Sequence, residues 1–347
     1  MNRLGVMSLV VALAACSPAP PASPAPAAGP PRSDLALAVR AAADDLVARG
    51  APGAVVHVHD AGVTREAAAG FADAAAGVPM RPDHRFRIAS ITKTFTAAVV
   101  LRLVRERELS LEDTLGKLLP GVVPGADGVT VTQLLSHTSG IPDYLTDPRF
   151  SAIITKDGRH TRNWPPRALL GYAGKPSQRG AHHYSNSNFI LLGLIIEKTT
   201  GRPYGQVIRS RITEPLALRA TELTDDLLPH RLARARYGDG QGATRVSSSI
   251  FWSAGGLVST ARDVAAFYRA LFTRSLPEGK AMTDHGGLGV FPEELPCGIR
   301  AWSHSGLIHG YSGVAMSSED GRRQVVIQLN HSDHGGVVSQ ARKLMCR

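Results

Sequence analysis

The sequence predicts an α+β fold: an antiparallel sheet built from both ends of the chain and flanked by helices, with a mostly helical subdomain inserted at about residues 110–250. Three observations carry this. Strand patterns occur near both ends. A helix apolar on nearly every face follows the third strand, and such a helix belongs in a domain centre. The middle of the chain is punctuated by Pro and Gly and offers short helices instead of strands.

The chain starts as an address. Met1-Asn2-Arg3 is short and positive, and Leu4 to Ala14 is an apolar run broken by Gly5 and Ser8. That run is too short for a comfortable permanent span but suits a signal peptide. It ends in Leu13-Ala14-Ala15-Cys16, which resembles a bacterial lipobox. Residues 1–16 are therefore expected to be a lipoprotein signal, with Cys16 lipidated and holding the protein to a membrane. Residues 17–32, almost all Pro, Ala and Ser, read as an extended linker. The folded domain is expected over 33–347. The expected location is the bacterial cell envelope, with the protein exported, lipid-anchored and monomeric.

Ser33 to Arg49 reads as a helix stopped by Gly50. Gly53 to His59 and Val63 to Gly70 read as a hairpin, and Arg85 to Ile88 as a short third strand. Ser90 to Arg107 is the apolar helix. Ser187 to Thr200 is the clearest helix of the middle region, stopped by Gly201 and Pro203. Ala261 to Phe272 is helical again. Gly286–Phe291, Ile299–His304, Tyr311–Ser317 and Gln324–Asn330 read as strands, and Val337 to Met345 as a closing helix.

Composition narrows the function classes. Apolar residues make up 43% of the chain, enough for a large core. The net charge of +10 could suit nucleic acid or an anionic surface, but the basic residues are scattered singly without a basic run or interleaved aromatics. No nucleic-acid partner is expected. Of the three cysteines, Cys297 and Cys346 remain once Cys16 is assigned to lipid. In an oxidising compartment they are expected to pair; the alternative is two separate buried thiols.

Three short motifs carry chemistry. Ser90-Ile91-Thr92-Lys93 opens the apolar helix, so Ser90 and Lys93 share a helix face. A buried amine there loses its proton more easily and can serve a hydroxyl as base. Tyr184-Ser185-Asn186 places a phenol and a carboxamide two residues apart in an extended segment, facing one cleft. His304-Ser305-Gly306 follows a strand, and Gly306 would let a substrate backbone lie close like an added strand. Each has a plain alternative: a solvated surface lysine, a helix cap beside a packed tyrosine, a satisfied strand-end histidine.

Taken in order, these motifs resemble those of class C β-lactamases and the related D-alanyl-D-alanine carboxypeptidases, aminopeptidases and esterases. Phe86-Arg87-Ile88-Ala89-Ser90, Leu134-Leu135-Ser136-His137-Thr138-Ser139-Gly140 and Ala254-Gly255-Gly256-Leu257 are similar to that family too. The resemblance implies a β-lactamase/transpeptidase-like fold and acyl transfer without metal or cofactor. It casts Ser90 as nucleophile and has Lys93 and Tyr184 share the acid and base roles. Asn186 would hold the substrate amide, and His304, Ser305, Gly306 and Leu307 would line the substrate. The N–H groups of Ser90 and Leu307 would form the oxyanion hole. Expected substrates are a peptidoglycan-type peptide or a small ester or amide, with β-lactams as acylating ligands.

The third motif begins with His, which leans toward a D-alanyl-D-alanine carboxypeptidase-like enzyme. Against that, such relatives place Thr after the motif and an Arg on the preceding strand, where this chain has Leu307 and Phe291. Arg300 is the expected substitute cation. Esterase, D-aminopeptidase and β-lactamase activities stay open, as does a non-catalytic penicillin-recognising or cell-wall-binding protein. No G-x-S-x-G, H-E-x-x-H or P-loop pattern occurs. The pairs His57/His59 and His331/His334 lack the support a metal site needs. Ser136 and His137, being adjacent, point apart.

Overall fold

The computed structural model describes residues 32–156, 159–235 and 245–347. Cys16, the signal segment and nearly all of the expected linker lie outside the described residues. The first element, α1 (Arg32–Ala48), buries Leu35, Val39, Ala43 and Leu46 at helical spacing. The hairpin β1 (Gly53–Asp60) and β2 (Val63–Asp73) follows, then the short β3 (Val78–Pro79).

From the other end come β7 (Phe291–Glu294), β8 (Arg300–Ile308), β9 (Tyr311–Ser318) and β10 (Arg323–Leu329). The seven-stranded sheet runs β3-β2-β1-β10-β9-β8-β7, every pair antiparallel. The register Val56 opposite Ile327 joins the two ends of the chain. α1 and the closing helix α6 (His334–Met345) cover one face, burying Val56, Val58, Val325, Ile327, Val337 and Leu344.

The other face packs on α2 (Thr92–Arg105) and α5 (Ala261–Phe272), where the Phe95 and Phe267 rings stack at 3.8 Å. From Thr92 to Leu101 every residue of α2 is buried. Its hydroxyls therefore need partners inside the protein. Thr94 donates to the Gly289 carbonyl at 2.9 Å and Thr96 to the Ser253 carbonyl at 2.7 Å. Beyond α2 lie α3 (Asn186–Thr200) and α4 (Trp252–Gly255).

Four sequence expectations change. The third strand shrinks to β4 (Phe86–Arg87) and joins a separate sheet ordered β4-β6-β5, with β5 (Glu222–Leu223) and β6 (Leu257–Ser259). The strand expected over Gly286–Phe291 starts only at Phe291. Gly286, Gly287 and Gly289 all take positive φ, a backbone that turns the chain and that glycine adopts freely. β8 runs on to Ile308, so His304-Ser305-Gly306 lies within a strand instead of after one. Ser90 sits in a 3₁₀ turn, Ala89–Ile91, that precedes α2. Cys297 and Cys346 form a disulfide, with Cα atoms 5.6 Å apart, tying the β7–β8 turn to the end of α6.

Candidate active site

The turn that presents Ser90 is set by two neighbours. Ala89 has a positive φ, a left-handed backbone that points the next residue out of the strand line. Gly306 of β8 lies against this turn: a Cβ there would meet the Ile88 carbonyl oxygen at 2.4 Å and Ser90 N at 3.2 Å. Glycine is thus required so that β8 can approach Ser90, not only so that substrate can approach β8.

Lys93 is fully buried one turn along. Its Nζ donates to Asn186 Oδ1 at 2.7 Å and to the Ala254 carbonyl at 2.6 Å, and lies 3.2 Å from Ser90 Oγ. Desolvation lowers the amine to about 7, partly opposed by the charge of Asp143. A neutral amine has two hydrogens and one lone pair. Asn186 and Ala254 take the hydrogens, leaving the lone pair for the Ser90 hydroxyl.

Asn186 is the first residue of α3, and its Nδ2 donates to Asp143 Oδ2 at 2.7 Å. Asp143 in turn caps the short turn Tyr144–Thr146 by accepting from Leu145 N. The Tyr184 hydroxyl stands near that of Ser90, and the Tyr184 ring lies 5.0 Å from Lys93 Nζ. His137 covers one side of the ring, and 39% of the residue is exposed. The hydroxyl end is enclosed, and burial raises its pKa, which keeps the phenol protonated.

His304 is buried, and its Nδ1 donates to the Ser305 carbonyl at 2.7 Å. Burial and the neighbouring Lys93 lower it to about 3, so it is neutral at ordinary pH. Along β8 the side chains alternate: Trp302, His304 and Gly306 face the Ser90 side, whereas Ser303, Ser305 and Leu307 face the α6 side. Ser305 Oγ is engaged by His334 Nε2 at 2.7 Å, and the Leu307 side chain is 50% exposed. Leu307, expected to line the substrate, therefore offers that side its backbone, its side chain pointing the other way.

That backbone is free. Glu319 N donates to the Arg300 carbonyl, so Arg300 and every second residue after it are bonded to β9, and Leu307 N–H points to the opposite edge. There β7 has already ended, Phe291 pairing with Ser303. The N–H groups of Ser90 and Leu307 thus border one open strand edge.

Phe291 stands at that edge as expected, its ring 5.2 Å from His304 and 6.2 Å from His182. Arg300 does not reach the cleft: it lies at the far end of β8, 3.6 Å from Glu319. His57 pairs with Glu66 at 2.9 Å, and among the described residues no group of three or more potential metal ligands occurs. Ser136 bonds the Thr132 carbonyl, and His137 turns away from it beneath Tyr184. Sequence reasoning missed Asp143 and the Ala254 carbonyl. Asp143 belongs to no local motif, and a carbonyl acceptor leaves no residue-type signal.

Known proteins place this geometry. The D-stereospecific amidohydrolase from Streptomyces sp. superposes with a TM-score of 0.79 at 35% identity, over 90% of this chain and 98% of that one. D-amino acid amidase from Ochrobactrum anthropi SV3, complexed with L-phenylalanine amide, superposes at 0.80 with 28% identity, over 90% and 97%. Penicillin-binding protein 4 of Amycolatopsis lactamdurans is 25% identical over 78% of this chain and 74% of its own length. Several other curated relatives are matched over less than half of their length, 30%, 37% and 47%. The Beta-lactamase family profile matches residues 39–344. The chain belongs to the Beta-lactamase family and is a serine hydrolase of that fold.

Proposed function

We propose that this chain hydrolyses small amides of D-amino acids, with esters as accessory substrates, through an acyl-enzyme on Ser90. One observation carries the choice of substrate. Phe291 stands at the open edge of β8 beside His304, and Arg300, the cation expected to serve a carboxylate, is held by Glu319 at the far end of the strand. A terminal carboxylate would gain no ion pair from Phe291 or from the distant Arg300, whereas a neutral amide needs none. The names of the Streptomyces amidohydrolase and the Ochrobactrum amidase point the same way. The carboxypeptidase-like expectation loses weight for the same reason.

The chemistry follows from the hydrogen bonds. Ser90 Oγ attacks the amide carbon while its proton passes to the Lys93 lone pair. The carbonyl oxygen becomes an oxyanion that accepts from Ser90 N–H and Leu307 N–H. The protonated Tyr184 phenol donates to the leaving nitrogen, the C–N bond breaks, and Lys93 returns a proton to Tyr184. Water then attacks the ester carbon and gives a proton to Lys93; the C–Oγ bond breaks, and Lys93 returns that proton to Ser90 Oγ. Asn186 holds Lys93 and is placed to meet the substrate amide.

The test is a comparison of D-phenylalanine amide, L-phenylalanine amide and D-alanyl-D-alanine at equal concentration. Release of ammonia from the D-amide well above the other two supports the proposal. Preferential release of D-alanine from the dipeptide would replace it with the carboxypeptidase reading. We further propose export and lipid anchoring at Cys16; the Leu13–Cys16 tetrapeptide supports this, and lipid labelling abolished by Cys16→Ser tests it.

A further inference from the structure

His137 belongs to none of the three motifs, yet it touches the middle one from beneath. Its ring stacks on Tyr184 with centroids 4.4 Å apart and planes 27° apart. Its Nδ1 accepts from Ser185 N at 3.1 Å and from Asn188 Nδ2 at 3.3 Å, and its carbonyl accepts from His183 N at 2.8 Å. The Asn188 amide is itself oriented, since Ser139 Oγ donates to Asn188 Oδ1 at 2.6 Å. One residue therefore grips the segment on both sides of Tyr184 and supports the ring between.

The residue is held for this with some strain. His137 is 2% exposed and has a positive φ, and Phe189 backs its ring at 5.2 Å. Because Nδ1 accepts two donors, the proton sits on Nε2, which has no hydrogen-bond partner among the described residues. A buried N–H without a partner costs stability. Burial and the nearby Lys93 keep the ring neutral, so it adds no second charge beside the amine.

We infer that His137 is the positioning residue of Tyr184: its ring fixes the plane of the phenol, and its Nδ1 fixes the backbone from which the phenol reaches Ser90. The inference rests on the reading of Tyr184 as the proton carrier of the site. A tyrosine free to swing would lose the Ser90 contact, and a displacement of about 1 Å in such a group costs about a hundredfold in rate.

A double-mutant cycle on hydrolysis of a chromogenic ester tests it, with kcat and KM measured separately and each variant checked by its melting curve. His137→Ala is expected to lower kcat about a hundredfold with little change in KM. His137→Asn, which can keep the acceptor, and His137→Phe, which keeps the ring, should each recover part of that loss. In a Tyr184→Phe background, His137→Ala should cost nothing further, because nothing remains to be positioned. The same loss in both backgrounds would overturn the inference and leave His137 a general packing residue. Wild-type kcat in His137→Ala would overturn it too. If His137→Ala does not fold, the cycle is run with His137→Asn under the same criterion. Tyr184→Phe with wild-type kcat would sink the reading of Tyr184 and this inference with it, whereas a Tyr184→Phe loss with unaffected His137 variants would sink this inference alone.

Discussion

The amine of Lys93 stands 3.2 Å from the hydroxyl of Ser90, farther than from its other two partners, the Asn186 amide oxygen at 2.7 Å and the Ala254 carbonyl at 2.6 Å. The two short contacts absorb hydrogens and the long one is left for a lone pair. Placement as well as burial supports the proposed role of Lys93 as base.

If Lys93 is the proposed base, an amine that titrates at about 7 sets a pH profile. kcat/KM is expected to rise with pH through that value as Lys93 loses its proton. Asp143 opposes the lowering, so Asp143→Asn should move this limb to lower pH, and a pH–rate series on both proteins checks it. Stability has a matching sign. The folded amine releases its proton at about 7. The unfolded one does so at about 10.4, so the unfolded state binds more protons between the two values. This group alone therefore makes stability rise with pH across that window, and a Lys93→Met variant should lose that slope in urea titrations.

Gly306→Ala tests the contact between strand and turn. The added Cβ would stand 2.4 Å from the Ile88 carbonyl, which is backbone and cannot step aside. Overpacking of this kind costs about 1–3 kcal/mol. The expected result is a lower urea midpoint together with a loss of activity larger than the stability loss explains, because the strand and the Ser90 turn move apart. Activity retained at wild-type level would show that the turn tolerates a shift.

The disulfide is the third case. Cys297 and Cys346 are 49 residues apart in sequence. Closing such a loop restrains the unfolded chain by about 4 kcal/mol in the chain-entropy model. Cys297→Ser with Cys346→Ser should lower the unfolding free energy by that order while leaving KM unchanged, since the pair lies at the end of α6 away from Ser90.

Much of the fold is legible in the sequence because periodicity reports burial directly. The apolar surround of α2 and the extents of β1, β9 and β10, buried on both faces, can be read nearly to the residue. The Ser90 and Lys93 relation can too, since helical spacing alone brings them together. Elsewhere local signals are outweighed. Gly286, Gly287 and Gly289 hide in an apolar stretch that reads as strand, but their left-handed backbone makes it a turn. His304-Ser305-Gly306 reads as a strand end because Ser and Gly act as breakers, while β8 continues through it at the sheet edge. Asp143, the Ala254 carbonyl and His137 reach the site through tertiary packing, which no spacing within one segment encodes.

The most direct measurement is the mass of the protein, acid-quenched during turnover of a chromogenic ester and mapped by peptide digestion. The account predicts one acyl group on the peptide carrying Ser90, and no adduct and no turnover in a Ser90→Ala variant that keeps its melting curve. An acyl group on any other residue, or Ser90→Ala turning over at the wild-type rate, would contradict it.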